Sequence, residues 1–227
     1  MKKTERSKPS AGRTSRASYR RHPMSLVQRI AVTASAVITF AILAALLAYI
    51  LIMGVPNLKP GLFAWHYTSD NCSMTPAIIN TLLMVVLSLL LSVPFGIGAA
   101  IYLVEYAKRG NKLVKVVRLT AETLSGIPSI VYGLFGYLMF VIALNMDKSM
   151  LAGALTLAIM VLPTILRTTE EALKAVPDSF REGSFGLGAG KLRTVFRIVL
   201  PSAVPGIFSG IILAIGRIVG ETAALIF

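Results

Sequence analysis

Two charged side chains, Arg217 and Glu221, interrupt an apolar run near the C-terminal end of the chain. A charge inside a membrane span costs on the order of 3 kcal/mol or more, so it usually faces a cavity or a partner. A guanidinium forks two N–H donors onto two oxygens of an anion and stays charged at any working pH. Arg217 is therefore a candidate anion contact. Glu221, four residues on, is placed to orient it and to weaken binding enough for release. On a helical wheel Gly206, Gly210, Gly216 and Gly220 share one sector with Arg217, and Glu221 lies beside it. Two GxxxG steps permit close helix contact, so both charges are expected to face the packed interior. A purely structural salt bridge is the competing reading. Arg167 closes the fourth apolar run and is the second candidate, at the inner mouth of the same path. Ordinary positive charge at a cytoplasmic helix end explains it equally well.

A second group lies between the fourth and fifth apolar runs, in residues 167–197. Val176-Pro177 is expected to stop one helix, because a residue before proline disfavours the helical region. Asp178 and Ser179 are good caps for the next. Gly188 and Gly190 can end it. A surface helix of about two turns is expected at Phe180–Leu187. The run Gly186-Leu187-Gly188-Ala189-Gly190-Lys191 resembles a phosphate-binding loop but is one residue short, with Leu192 where Ser or Thr is required. Nucleotide hydrolysis by that route is excluded. No metal-ligand spacing appears, and both histidines, His22 and His66, fall outside the apolar runs.

These groups must be positioned by helices in a bilayer. The chain has 227 residues, 55% of them hydrophobic, with a mean hydropathy of +0.74, above the ~45–50% apolar content of soluble domains. A hydrocarbon core of about 30 Å needs about 20 apolar residues per helix. Five segments qualify or come close: Ile30–Met53, Ala77–Val104, Leu119–Leu144, Met150–Leu166 and Ile198–Phe227. Pro128 and Pro163 are expected to break or kink their helices, and Glu122 to cap its helix or pair with Arg118.

The net charge of +13 would suit a nucleic-acid binder, but its placement argues for a membrane. Of the 23 Lys and Arg, 20 fall in the N-terminal segment and the loops at 105–118 and 167–197, two fall in the alternate loops, and one is Arg217. The positive-inside rule puts the N-terminus and those two loops in the cytoplasm. Residues 1–29 are polar and basic and are expected to form a disordered cytoplasmic tail, with residues 30–227 as one membrane domain. The single cysteine, Cys72, permits no disulfide framework.

The loop then carries a resemblance. Permeases of ATP-binding-cassette importers bear the pattern E-A-A, three residues, G, nine residues, I-x-L-P. Here Glu182, Gly183, Ser184, Gly188, Ile198, Leu200 and Pro201 stand at those positions, with small residues replacing both alanines. The segments Glu122–Gly133, Leu162-Pro163 with Arg167–Glu170, and Gly216-Arg217 with Gly220–Ala223 are similar to the A-type phosphate permeases (PstA). The resemblance covers roughly residues 75–227. It implies an all-α polytopic bundle of the type I importer permease fold, whose sixth span has no counterpart here, so a further helix is expected to be missing.

It also implies a plasma-membrane machine moving inorganic phosphate by alternating access. The implied partners are a second homologous permease, two cytoplasmic ATPase subunits and an extracytoplasmic phosphate-binding protein, with no nucleic acid. ATP and Mg2+ would sit on the ATPases, so no cofactor and no catalytic residue are expected in this chain. A short helix near 180–190 would couple the permease to its ATPase. Another cargo (sulfate, molybdate, an amino acid) and a signalling or scaffold role are the alternatives.

Overall fold

The computed structural model of the chain describes residues 23–69, 72–108 and 110–226. It divides into two compact units, residues 1–64 with 68–73, and residues 65–67 with 74–227. The expected tail lies largely outside the described residues.

Helix α1, Pro23–Gly54, dominates the first unit and begins before the apolar run does. Two short 3-10 turns follow, Val55–Asn57 and Pro60–Phe63, each with proline in its first turn, where a missing N–H is harmless. The helix exposes apolar side chains along its whole length, as a lipid-facing span does.

The described part of the second unit is built from helices joined by short connections. Helix α2, Thr75–Ile101, widens into a π-helical turn at Tyr102–Tyr106. Helices α3, Lys112–Ser125, and α4, Ser129–Gly136, follow, α4 widening at Tyr137–Ala143. Then come α5, Met150–Ala175, α6, Asp178–Gly186, and α7, Lys191–Thr194. A wide turn at Val195–Val199 leads into α8, Leu200–Val219, and a short 3-10 turn covers Ala223–Leu225. Helix α5 is the hub and packs on α2, α8, α4 and α3. Leu157, Met160, Val161 and Ile165 of α5 meet Val85, Tyr132, Ala214 and Ile218 in the main core.

Among the described residues, four helices are long and apolar enough to span a bilayer: Met24–Asn57, Thr75–Tyr106, Met150–Ala175 and Lys191–Val219. A fifth exists if the bent pair α3 and α4 counts as one. That pair shows the break expected at Pro128. The chain turns by 104° at residues 126–128, where Pro128 lacks the donor a continuous helix needs. Tyr132 Oη donates to the Leu124 carbonyl at 2.8 Å, tying the two arms together.

Pro163 behaves differently. It is buried inside an unbroken α5, among neighbouring helices that make such a proline tolerable. Helix α5 also runs on to Ala175, past the expected end at Leu166. Its charged turns are held by i,i+4 pairs, Arg167 with Glu171 at 3.5 Å and Glu170 with Lys174 at 2.7 Å.

The glycine sector of α8 splits in two. A Cβ on Gly206 would sit 2.6 Å from Ala172 Cβ, and one on Gly210 would sit 2.8 Å from Thr168 Cβ. These two glycines let α8 lie antiparallel against α5. A Cβ on Gly216 would meet nothing within 4 Å. Gly210→Ala is therefore expected to lower stability by about 1–3 kcal/mol through overpacking. Gly216→Ala is expected to be neutral or slightly stabilising, since alanine favours helix. Thermal unfolding of the two variants in detergent checks this, and equal melting points would contradict the packing described.

Candidate functional site

The 167–197 segment contributes a short surface helix, α6. Helix α5 stops at Val176-Pro177, and α6 opens without a side-chain cap, so the cap expected of Asp178 and Ser179 is not formed. Asp178 occupies the first turn instead, where its charge complements the helix dipole. At the other end Gly188 has φ +81°, and its N–H donates to Phe185 O at 2.9 Å. Ala189 N–H donates to Ser184 O at 3.1 Å. This left-handed cap is strained for any residue with a side chain, which explains glycine at that position.

The two faces of α6 differ. Ser184 is buried, its hydroxyl 2.8 Å from that of Thr194 on α7. Val195 and Val199 pack with α5 and α2, with Leu200 against them. Ile198 is half-buried and Pro201 exposed. Outward, Glu182 and Gly183 are exposed, and a Cβ on Gly183 or Gly186 would meet nothing within 4 Å. Phe180, Phe185 and Leu192 are exposed too, and Leu187 is 91% exposed. Among the described residues no neighbour requires glycine at 183.

Arg181 ties α6 to the bundle. Its side chain is 15% exposed, and that of its partner Glu105, at the end of α2, is 8% exposed. Nε and Nη2 of Arg181 donate to Glu105 Oε1 at 3.1 and 2.8 Å. Nη1 donates to Val176 O at 2.8 Å and Asp178 Oδ1 at 3.1 Å, and Nη2 also donates to Leu173 O at 2.9 Å. One guanidinium thus binds α2, the end of α5 and α6 together. It also places the 105–118 and 167–197 loops at the same end of the bundle. Neither residue stands out in the sequence, because their 76-residue separation leaves no periodic signal.

Arg217 lies on the α5-facing side of α8. Its Nη1 donates to Thr164 Oγ1 of α5 at 3.3 Å, and no carboxylate pairs with it among the described residues. The register set by Gly206 on Ala172 and Gly210 on Thr168 places Arg217 level with Val161, about 17 Å along α5 from Met150. That is roughly half the ~30 Å hydrocarbon thickness. The side chain leans toward the N-terminal end of its helix, as long helical side chains do, and so reaches Thr164.

The pairing with Glu221 expected from sequence does not form. Helix α8 ends at Val219 and Gly220 caps it, so Glu221 falls off the wheel. Glu221 Oε1 instead accepts from Ala224 N at 3.1 Å and caps the turn Ala223–Leu225. That turn presses on α4, where a Cβ on Gly133 would sit 2.6 Å from Ala224 O.

Arg167 sits apart from both. It is within α5 and exposed, 4.0 Å from Glu122 and 3.5 Å from Glu171. Exposed pairs of this kind contribute about 0–1 kcal/mol. Arg118 pairs with the buried Glu170 at 2.5 Å, so the expected Arg118–Glu122 pair is replaced by two contacts with α5.

Residues 92–227 match the family described as binding-protein-dependent transport system inner membrane components. The probable ABC transporter permease protein YqgI of Bacillus subtilis (strain 168) is 38% identical over 197 residues, covering 85% of this chain and 66% of that protein. The phosphate transport system permease protein PstA 1 of Mycobacterium tuberculosis (strain CDC 1551 / Oshkosh) is 43% identical over 150 residues, covering 66% of this chain and 49% of that one. The chain therefore spans about half to two thirds of the length of these curated relatives. An inward-facing structure of the MetNI methionine ABC transporter shares the fold, with a TM-score of 0.53 at 21% identity over 65% of this chain and 68% of that one.

Proposed function

Because the chain belongs to the family of binding-protein-dependent transport system inner membrane components, we propose that it is one of two permease subunits of an ATP-driven importer of inorganic phosphate. The two permeases would alternate access to a central path. Two cytoplasmic ATPase subunits would grip the short surface helices, and an extracytoplasmic binding protein would deliver the anion. The free energy comes from ATP on those partners, so the role of this chain is to convert motion of α6 into motion of α5 and α8.

The two-faced α6 carries the reading. Its inner face is fixed by Arg181 and Ser184, while Gly183 is open and Phe180, Phe185 and Leu187 are exposed. A helix anchored inward and bare outward suits a groove that pulls on it. The distribution of Lys and Arg favours a cytoplasmic position for this end. Phosphate as cargo is supported by the unneutralised Arg217 beside a hydroxyl at mid-bundle depth and by relatives named as phosphate permeases. Sulfate or molybdate would meet the same guanidinium and is the second reading.

Cysteine cross-linking tests the lever. With the full-length chain and its partners in membranes, Gly183→Cys is expected to cross-link to the ATPase subunit, with a yield that changes on adding ATP. No cross-link in either nucleotide state, or labelling of the introduced thiol only from the outer side, would contradict the assignment.

A further inference from the structure

The end of the bundle that carries α6 also holds a cavity of about 860 Å³ with walls from α2, α3, α5 and α6. Six cations line it, Lys108, Lys112, Lys115, Arg118, Lys174 and Arg181, against three carboxylates, Glu105, Glu122 and Asp178. Arg181 is taken up by Glu105 and Asp178, and Arg118 and Lys174 share the buried Glu170. Lys108, Lys112 and Lys115 pair with no carboxylate among the described residues. The cavity therefore keeps surplus positive charge, concentrated on its α3 side.

Helix α3 indicates which anion fits. Its residues form three rows. Val114, Val117 and Ala121 pack inward with Leu103 and Leu166. Lys112, Lys115 and Arg118 recur every three residues along the cavity wall. Beside them, at the same spacing, Leu113, Val116 and Leu119 are 58%, 61% and 63% exposed. An exposed apolar row flanked by a cationic row is the pattern of a helix lying in a membrane interface, with cations at the headgroups and apolar side chains among the acyl chains. The 104° turn before α4 carries α3 away from the direction of that span. Leu119 belongs to both features, exposed in the apolar row and lining the cavity.

We propose that this cavity seats the headgroup of an anionic phospholipid. Lys112 and Lys115 hold the phosphodiester, Lys108 stands beside them, and the acyl chains lie along Leu113, Val116 and Leu119. Free phosphate, or an acidic segment of a partner subunit, would satisfy the lysines but leave the apolar row bare. The site requires only that this end of the bundle meets lipid headgroups, so it stands independently of the cargo.

Native mass spectrometry of the assembled transporter, built with the full-length chain and equilibrated in equimolar phosphatidylcholine and phosphatidylglycerol, tests it. The wild-type complex is expected to retain phosphatidylglycerol preferentially. The double variant Lys112→Gln/Lys115→Gln is expected to lose retained phosphatidylglycerol roughly tenfold, and Lys148→Gln, outside the cavity, to keep it. Equal retention by the double variant overturns the proposal. So does binding of inorganic phosphate at these lysines without lipid, or a cross-link from position 112 to a partner subunit in place of lipid. Uptake is read on the same preparation. Failed transport with lipid retained would strike the importer reading and leave this site standing.

Discussion

Arg217→Gln is expected to abolish ATP-driven uptake while the complex still inserts and assembles. The guanidinium stands alone at mid-bundle depth, with a neutral hydroxyl at 3.3 Å and no carboxylate among the described residues. A cation held there without neutralisation gains most when an anion arrives, because water no longer screens the pair. Removing it is expected to reduce uptake by about two orders of magnitude, as for a desolvated charge contact of ~3 kcal/mol. Stability should hardly change, since the lost protein contact is one long hydrogen bond. Arg217→Lys keeps the charge without the fork and is expected to fall between the two. Normal uptake by Arg217→Gln, or loss of assembly in place of loss of transport, would remove the residue from the path.

Breaking the Arg181–Glu105 pair has the largest expected effect on stability. Arg181→Met leaves a carboxylate of 8% exposure without its partner and takes the donors from two carbonyls that end α5. A buried charge orphaned in this way costs about 3–5 kcal/mol. Replacing both partners removes the orphan, so Arg181→Met/Glu105→Leu is expected to recover a substantial part of the loss. Thermal unfolding of the single and double variants decides it. A single variant within about 1 kcal/mol of the parent would contradict a buried bridge. In the double variant α6 no longer has its tie to α2, so ATP hydrolysis is expected to continue with reduced uptake.

Sequence is informative here where the physics is local. Apolar runs mark the spans, Pro128 marks the break before α4, and Val176-Pro177 with Gly188 bracket the short helix α6. It misleads where tertiary contacts override local preference. Arg167, Glu170, Glu171 and Lys174 end the apolar run, yet they continue α5 because their i,i+4 spacing supports a helix that hydropathy alone does not register. That spacing is visible in the sequence and moves the boundary once it is weighed. Pro163 sits in an intact, buried stretch of helix, a tolerance that depends on packing no single segment reveals. Glu221 belongs to a helical wheel that stops before reaching it. The partners Glu105 and Thr164 are out of reach, since each meets its arginine only through packing of helices far apart in the chain.

Labelled-phosphate uptake into sealed, right-side-out vesicles is the most direct measurement, using the full-length chain, its permease partner, both ATPases and the binding protein. Accumulation that requires ATP on the cytoplasmic side, and that sulfate and molybdate do not suppress, is the predicted result. Uptake indifferent to ATP, or an assembly that accumulates sulfate and ignores phosphate, would contradict it.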